Sequence, residues 1–177
     1  MSTVVKSALE QTIQNLRNDP SHSKAVFEAR AVLGKNVSVT VGVRQFEFKF
    51  DEPQMLGGAD QDPNPVEYVL ASLGACQAIV YRALASLKGI QLHDVTVKTK
   101  GHLDLNGFLG LDKDARPGFS KVEFETTIVS DEPAETIKKL AAQVESLCPV
   151  LDIIANPVVV TGNVIVKKKE NATSLVS

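Results

Sequence analysis

The stretch that most limits what this chain can fold into runs from Pro65 to Lys88, "PVEYVLASLGACQAIVYRALASLK". Of its 24 residues 16 are apolar, and they occupy every face of a helix rather than one stripe. A helix of that kind must be covered on most sides. The uncharged run between Glu67 and Arg82 falls short of the roughly 20 residues that cross a bilayer, so the cover is expected to be protein, from this chain or a second subunit.

The flanking segments indicate what supplies that cover. Val4 to Leu16 places Leu9, Ile13 and Leu16 on one stripe, and Asp19-Pro20 stops the element. Ala25 to Leu33, Val37 to Val43 and Gln45 to Phe50 read as consecutive antiparallel strands. The last alternates Phe46, Phe48 and Phe50 with polar neighbours. "DEPQMLGGADQDPNP" is rich in turn formers and leads into the long helix. Beyond Gly89, "LHDVTVKTKGHLDL" and "FSKVEFETTIVS" alternate as strands on either side of an "RPGF" turn. Ile137, Leu140, Ala141, Val144 and Leu147 then follow helical spacing, with Ser130 or Asp131 as the cap and an end near Cys148. "PVVVTGNVIVKK" is expected to form a final strand, and the polar end to fray. The order defines an α+β domain: a helical arm over 1–24, one globular unit over 25–168 and a polar tail over 169–177.

A net charge of −2 with a pI near 5.9 gives no electrostatic reason to expect nucleic acid or an anionic membrane as partner. The N-terminal residues lack the apolar run of a secretory signal, so a cytoplasmic location and reduced thiols are expected. His22, His93 and His102 have no ligand partners at metal-site spacing, and no glycine-rich phosphate loop or G-x-S-x-G elbow occurs. Neither cofactor nor metal is expected.

That leaves the two cysteines. Cys76, midway along the apolar helix, reads by local context as a small buried hydrophobe rather than a nucleophile. Cys148 precedes Pro149. If a short helix opens there, its first N–H groups would favour a thiolate. Glu67, in the first turn of the long helix, reads either as an acid/base group or as a charge that suits the helix dipole.

At "DEPQMLGGADQDPNPVEYVLASLGACQAIVYRALASLKGIQL" and again at "SLCPVLDIIANPV" the chain resembles the OsmC/Ohr family of thiol-dependent peroxidases, over roughly Phe27 to Lys167. The carrying elements are the "DEP..LGG....NP.E" approach, "GAC" within the helix and a distant "CP". The resemblance implies an intertwined homodimer in which a strongly curved antiparallel sheet wraps long central helices, with active sites at the interface. It implies that Cys76 is the peroxidatic and Cys148 the resolving thiol, acting on organic hydroperoxides in oxidative defence. The resulting disulfide would be reduced by a dithiol such as a lipoylated protein. In this family an arginine, assisted by a glutamate, stabilises the thiolate. The hydroperoxide-resistance branch has its glutamate directly after Asn-Pro, where this chain has Val66. The carboxylate here is Glu67, about 900° around a helix from Cys76 and so on its far side. Arg44 is the preferred arginine, ahead of Arg30, and Arg82 reads as a helix-end charge. Two other functions fit the same residues: a non-catalytic dimer binding a small apolar ligand or a thiol partner, and a hotdog-type thioesterase using Glu67 as base.

Overall fold

The structure, a computed structural model, describes residues 3–168. Its organising element is helix α2, Pro65–Lys88, which coincides with the apolar stretch. Its start is fixed by a capping box: the Asn64 side chain accepts from the Glu67 backbone N–H at 2.9 Å, and the Glu67 carboxylate accepts from the Asn64 N–H at 2.8 Å. Pro65 at the first helical position needs no N–H partner there, and Gly89, at φ 73°, supplies the left-handed residue that ends the helix.

Before α2 come helix α1 (Thr3–Asn18) and strands β1 (Arg30–Leu33), β2 (Val39–Val43) and β3 (Phe46–Phe50). The strands form an antiparallel sheet in the order β1-β2-β3. A two-residue turn at Arg44 and Gln45 joins β2 to β3, with Val43 opposite Phe46. The sheet reaches α2 through aromatic rings, Phe48 and Phe50 lying 5.5 and 4.3 Å from Tyr68 between centroids.

After α2 come β4 (Asp94–His102), the short helix α3 (Leu105–Phe108), β5 (Lys121–Val129), α4 (Ala134–Leu147) and α5 (Pro149–Ala155). β4 and β5 form a separate two-stranded antiparallel sheet. β4 lies along α2, where the Thr99 hydroxyl donates to the Leu70 carbonyl at 3.2 Å. From another side α4 packs on α2, closing a core of Tyr81, Ala85, Leu92, Leu140 and Val144. Among the described residues α2 is the one helix long and apolar enough to cross a membrane. Here it is packed against β4, α1, α4 and α5.

The sequence reading needs correction at four places. The sheet is divided into two pieces, so one continuous curved sheet is not completed within a protomer. Helix α3 was not foreseen, being a single turn initiated by Asp104, whose side chain accepts from the Asn106 N–H. Neither Ser130 nor Asp131 caps α4: Ser130 donates to the Gln91 carbonyl, Asp131 pairs with His93 at 2.8 Å, and Pro133 occupies the cap position. Finally, residues 157–168 form no strand. A strand draws its hydrogen bonds from a neighbour, and no described strand pairs with this segment, which leaves Val159 96% exposed. The polar tail over 169–177 lies outside the described residues.

Leu140 is 1% exposed and central to the core. Leu140→Ala is expected to lower stability by about 2–5 kcal/mol, read from the urea unfolding midpoint. A loss within experimental error would mean that the α2–α4 contact does not hold the domain together.

Candidate active site

α4 ends at Leu147 and α5 begins at Pro149, so Cys148 is both the C-cap of one helix and the N-cap of the next. Pro149 forces the break, because its ring cannot continue the preceding helix and suits the first turn of a new one. Cys148 is four residues beyond Val144 and eight beyond Leu140, so all three share the stripe that faces α2. This packing carries the Cys148 thiol to Cys76, and the two side chains are within hydrogen-bonding reach. Cys148 is 1% exposed and Cys76 half-buried.

The short helix foreseen at Pro149 is present, and the Leu151 N–H donates to Cys148 Sγ at 3.5 Å. The thiolate expected from that position is not favoured. Burial pushes the Cys148 thiol up, the neighbouring Cys76 adds to the rise, and the N–H groups of Leu151 and Val150 offset only part of it. Cys148 is therefore a protonated thiol held against the more open Cys76. Both are free thiols.

The other sequence candidates fall elsewhere. The Glu67 carboxylate is engaged in the capping box at the start of α2. Arg44 stands at the β2–β3 hairpin tip with φ 54°, a left-handed conformation that favours glycine. Its guanidinium lies 5.2 Å from the Phe46 ring centroid and makes no hydrogen bond or ion pair among the described residues. Arg30 is exposed on β1. Arg82, half-buried, does not stand in the last turn of α2, where a helix-end charge was expected, and donates to the Leu92 carbonyl beyond the helix at 3.3 Å. Among the described residues no cationic side chain is hydrogen-bonded to either cysteine. Among the described residues no three His, Cys, Asp or Glu side chains gather as a metal site.

Two residues of interest were missed. Gln77, next to Cys76, is 1% exposed, and neither its Oε1 nor its Nε2 has a partner among the described residues. An unmet buried polar atom costs about 1–3 kcal/mol, so this amide is expensive to keep. Helical spacing gave no signal, because an isolated glutamine in an apolar run reads as an exposed position. Asp51 is the second. Its carboxylate accepts from the N–H groups of Glu52, Ala59 and Gln61 at 2.9, 3.0 and 3.3 Å, closing the loop before α2. The Glu52 N–H is the strongest influence holding the Asp51 carboxyl below its ordinary value. Its tie to the loop is thus fully present above the usual aspartate range and is lost as pH falls through the lowered value. The same closure requires Gly58, where an added Cβ would stand 1.7 Å from the Glu52 carbonyl oxygen. An aspartate directly before "EPQMLGG" was the available signal.

Comparison with known proteins bears on the family and the fold. Residues 57–163 match the model of the family described as OsmC-like protein. The fold is similar to a crystal structure of an OsmC-like protein from Mycoplasma pneumoniae, with TM-score 0.66 and 21% identity over 76% of this chain and 90% of that one. It is also similar to an organic hydroperoxide resistance protein from Elizabethkingia anophelis, with TM-score 0.58 and 22% identity over 77% and 92% of the two chains. A third, from Legionella pneumophila and described as an organic hydroperoxide resistance protein OsmC, has TM-score 0.56 and 23% identity over 73% and 89%. No curated protein matches the sequence.

At neutral pH a maleimide is expected to label Cys76 well before Cys148, as mapped by peptide mass spectrometry, because Cys148 is buried and its thiol is pushed up. Prior labelling of Cys148 would contradict the geometry. Glu67→Gln, which keeps an acceptor for the Asn64 N–H, is expected to leave the labelling rate of Cys76 unchanged; a slower rate would give Glu67 a part in thiol chemistry.

Proposed function

Because the chain belongs to the OsmC-like protein family, we propose that it is a thiol-dependent peroxidase that reduces organic hydroperoxides through Cys76 and Cys148. The observation that carries this reading is the meeting of the two free thiols, one half-buried on α2 and one buried at the α4–α5 joint. The Cys76 thiolate attacks an oxygen of the hydroperoxide, breaking the O–O bond. Cys76 becomes a sulfenic acid, and the alkoxide leaves and takes a proton to become the alcohol. Cys148 then attacks the sulfenic sulfur, forming the Cys76–Cys148 disulfide and releasing water. A dithiol, for example a lipoylated protein, reduces that disulfide by exchange and is itself oxidised to a disulfide.

The raised Cys148 thiol suits the resolving role. Neutral and shielded, it does not compete for peroxide, yet it is adjacent when the sulfenic acid forms. We further propose a homodimer. Within one protomer Ile79 on α2 is 67% exposed, and Phe46 and Leu33 on the first sheet are exposed as well. Apolar area of this kind is characteristic of an interface between copies. In such a dimer the partner would bring Arg44 to Cys76, an assignment supported by its unpaired charge and strained backbone.

One observation favours a second reading, a non-catalytic dimer that binds a small apolar ligand or a thiol partner: among the described residues no cation is bonded to either cysteine. Peroxide consumption separates the two. With a dithiol reductant, the protein is expected to consume cumene hydroperoxide. Cys76→Ser is expected to abolish turnover, and Cys148→Ser to limit it to the first oxidation. Arg44→Ala is expected to slow the reaction at neutral pH about tenfold, equivalent to a thiolate pKa raised by about one unit. No consumption by the unaltered protein would leave the binding reading.

A further inference from the structure

The Gln77 amide has no function in the chemistry above, and it is the one buried polar side chain that adjoins a reacting cysteine in sequence. It lies on α2 between Leu73 and Tyr81, four residues to either side, and all three are buried. Its atoms are already closed off by its own chain, so a second copy docking on the surface could not supply their partner. The partner must be internal.

α4 runs back along α2, since Leu140 and Val144 pack with Tyr81 and Ala85 while Cys148 reaches Cys76. Gln77 is one residue beyond Cys76, about 1.5 Å along the helix axis, and so sits at the level of the sulfur pair. Ser86, whose Oγ is also without a partner, is nine residues away and about 13.5 Å along the same axis, out of reach of Gln77. The sulfurs are the groups at this level whose hydrogen-bonding character changes: each is a thiol or a thiolate, and Cys76 passes through a sulfenic acid. An amide answers all of these states, because it carries both donors and an acceptor and never ionises.

We propose that the Gln77 side-chain amide, which bonds to neither sulfur in the free thiols, turns to the cysteine pair when it is charged or oxidised, donating through Nε2 to a thiolate or sulfenate and accepting through Oε1 from S–OH. The proposal deepens the peroxidase reading and rests on it for the sulfenic acid; its effect on the thiolate stands apart from peroxide chemistry. A core partner such as Thr126 on β5, whose side chain lies beside Tyr81, would instead make Gln77 a packing residue.

The test compares Cys148→Ser protein with the same protein carrying Gln77→Met or Gln77→Glu. Iodoacetamide alkylation of Cys76 is followed across pH, and sulfenic acid formed by cumene hydroperoxide is trapped with dimedone. Gln77→Met is expected to move the alkylation midpoint up by about one unit and to slow dimedone trapping at neutral pH about tenfold. Gln77→Glu should slow both at least as much, because it places a like charge beside the thiolate. If both folded variants keep the parent's midpoint and trapping rate, Gln77 is only packing and the proposal fails. If the parent yields no dimedone adduct but Gln77→Met still shifts the midpoint, the peroxidase reading fails while Gln77's role toward the thiolate stands.

Discussion

The packing of α4 against α2 is the contact on which the rest of the molecule depends. One stripe, Leu140, Val144 and Cys148, is laid along Tyr81, Ala85 and the Cys76 region, so the residues that bury the core also set the distance between the thiols. Stability and chemistry share a single interface. The break at Pro149 extends this economy, because ending α4 at Cys148 turns the chain and aims the first N–H groups of α5 at the sulfur. Burial nevertheless outweighs those N–H groups, and the result is a neutral thiol kept out of solvent.

A protomer alone leaves much apolar surface uncovered. α2 contacts other elements on several sides yet keeps Ile79 exposed, the first sheet reaches it mainly through Tyr68, and the valine-rich segment over 157–166 pairs with nothing described. These exposed faces surround the elements that carry the cysteines and the Arg44 hairpin. A second copy covering them would complete both the sheet and the charge environment of Cys76, which is why the proposed dimer and the proposed chemistry are linked.

Where local rules decide, the sequence was readable. Asn64, Pro65, Glu67 and Gly89 carry start and stop signals, and α2 has the bounds they indicate. The three early strands follow their alternation, though each is shorter than its apolar run. Features set by distant contacts were not readable from pattern. The run over 157–168 was expected to be a strand, yet a strand needs a pairing neighbour and no described strand pairs with it. Local helix-end logic made Cys148 a thiolate, and burial by α2 reversed the sign. No periodicity tied Cys76 to a residue some seventy positions later; only the resemblance of two separated motifs did so, and the structure now brings the two side chains together. Gln77 was invisible for the complementary reason, since its burial comes from elements packed on α2 rather than from its neighbours in sequence.

The central claim is that Cys76 and Cys148 form one redox unit. It is tested most directly by treating reduced protein with one equivalent of an organic hydroperoxide, blocking free thiols and mapping linked peptides by mass spectrometry. The account predicts an intrachain peptide pair joined through Cys76 and Cys148, formed at the rate at which peroxide is lost. Peroxide loss with both cysteines still free, or oxidation that stops at either residue without linking them, would contradict it.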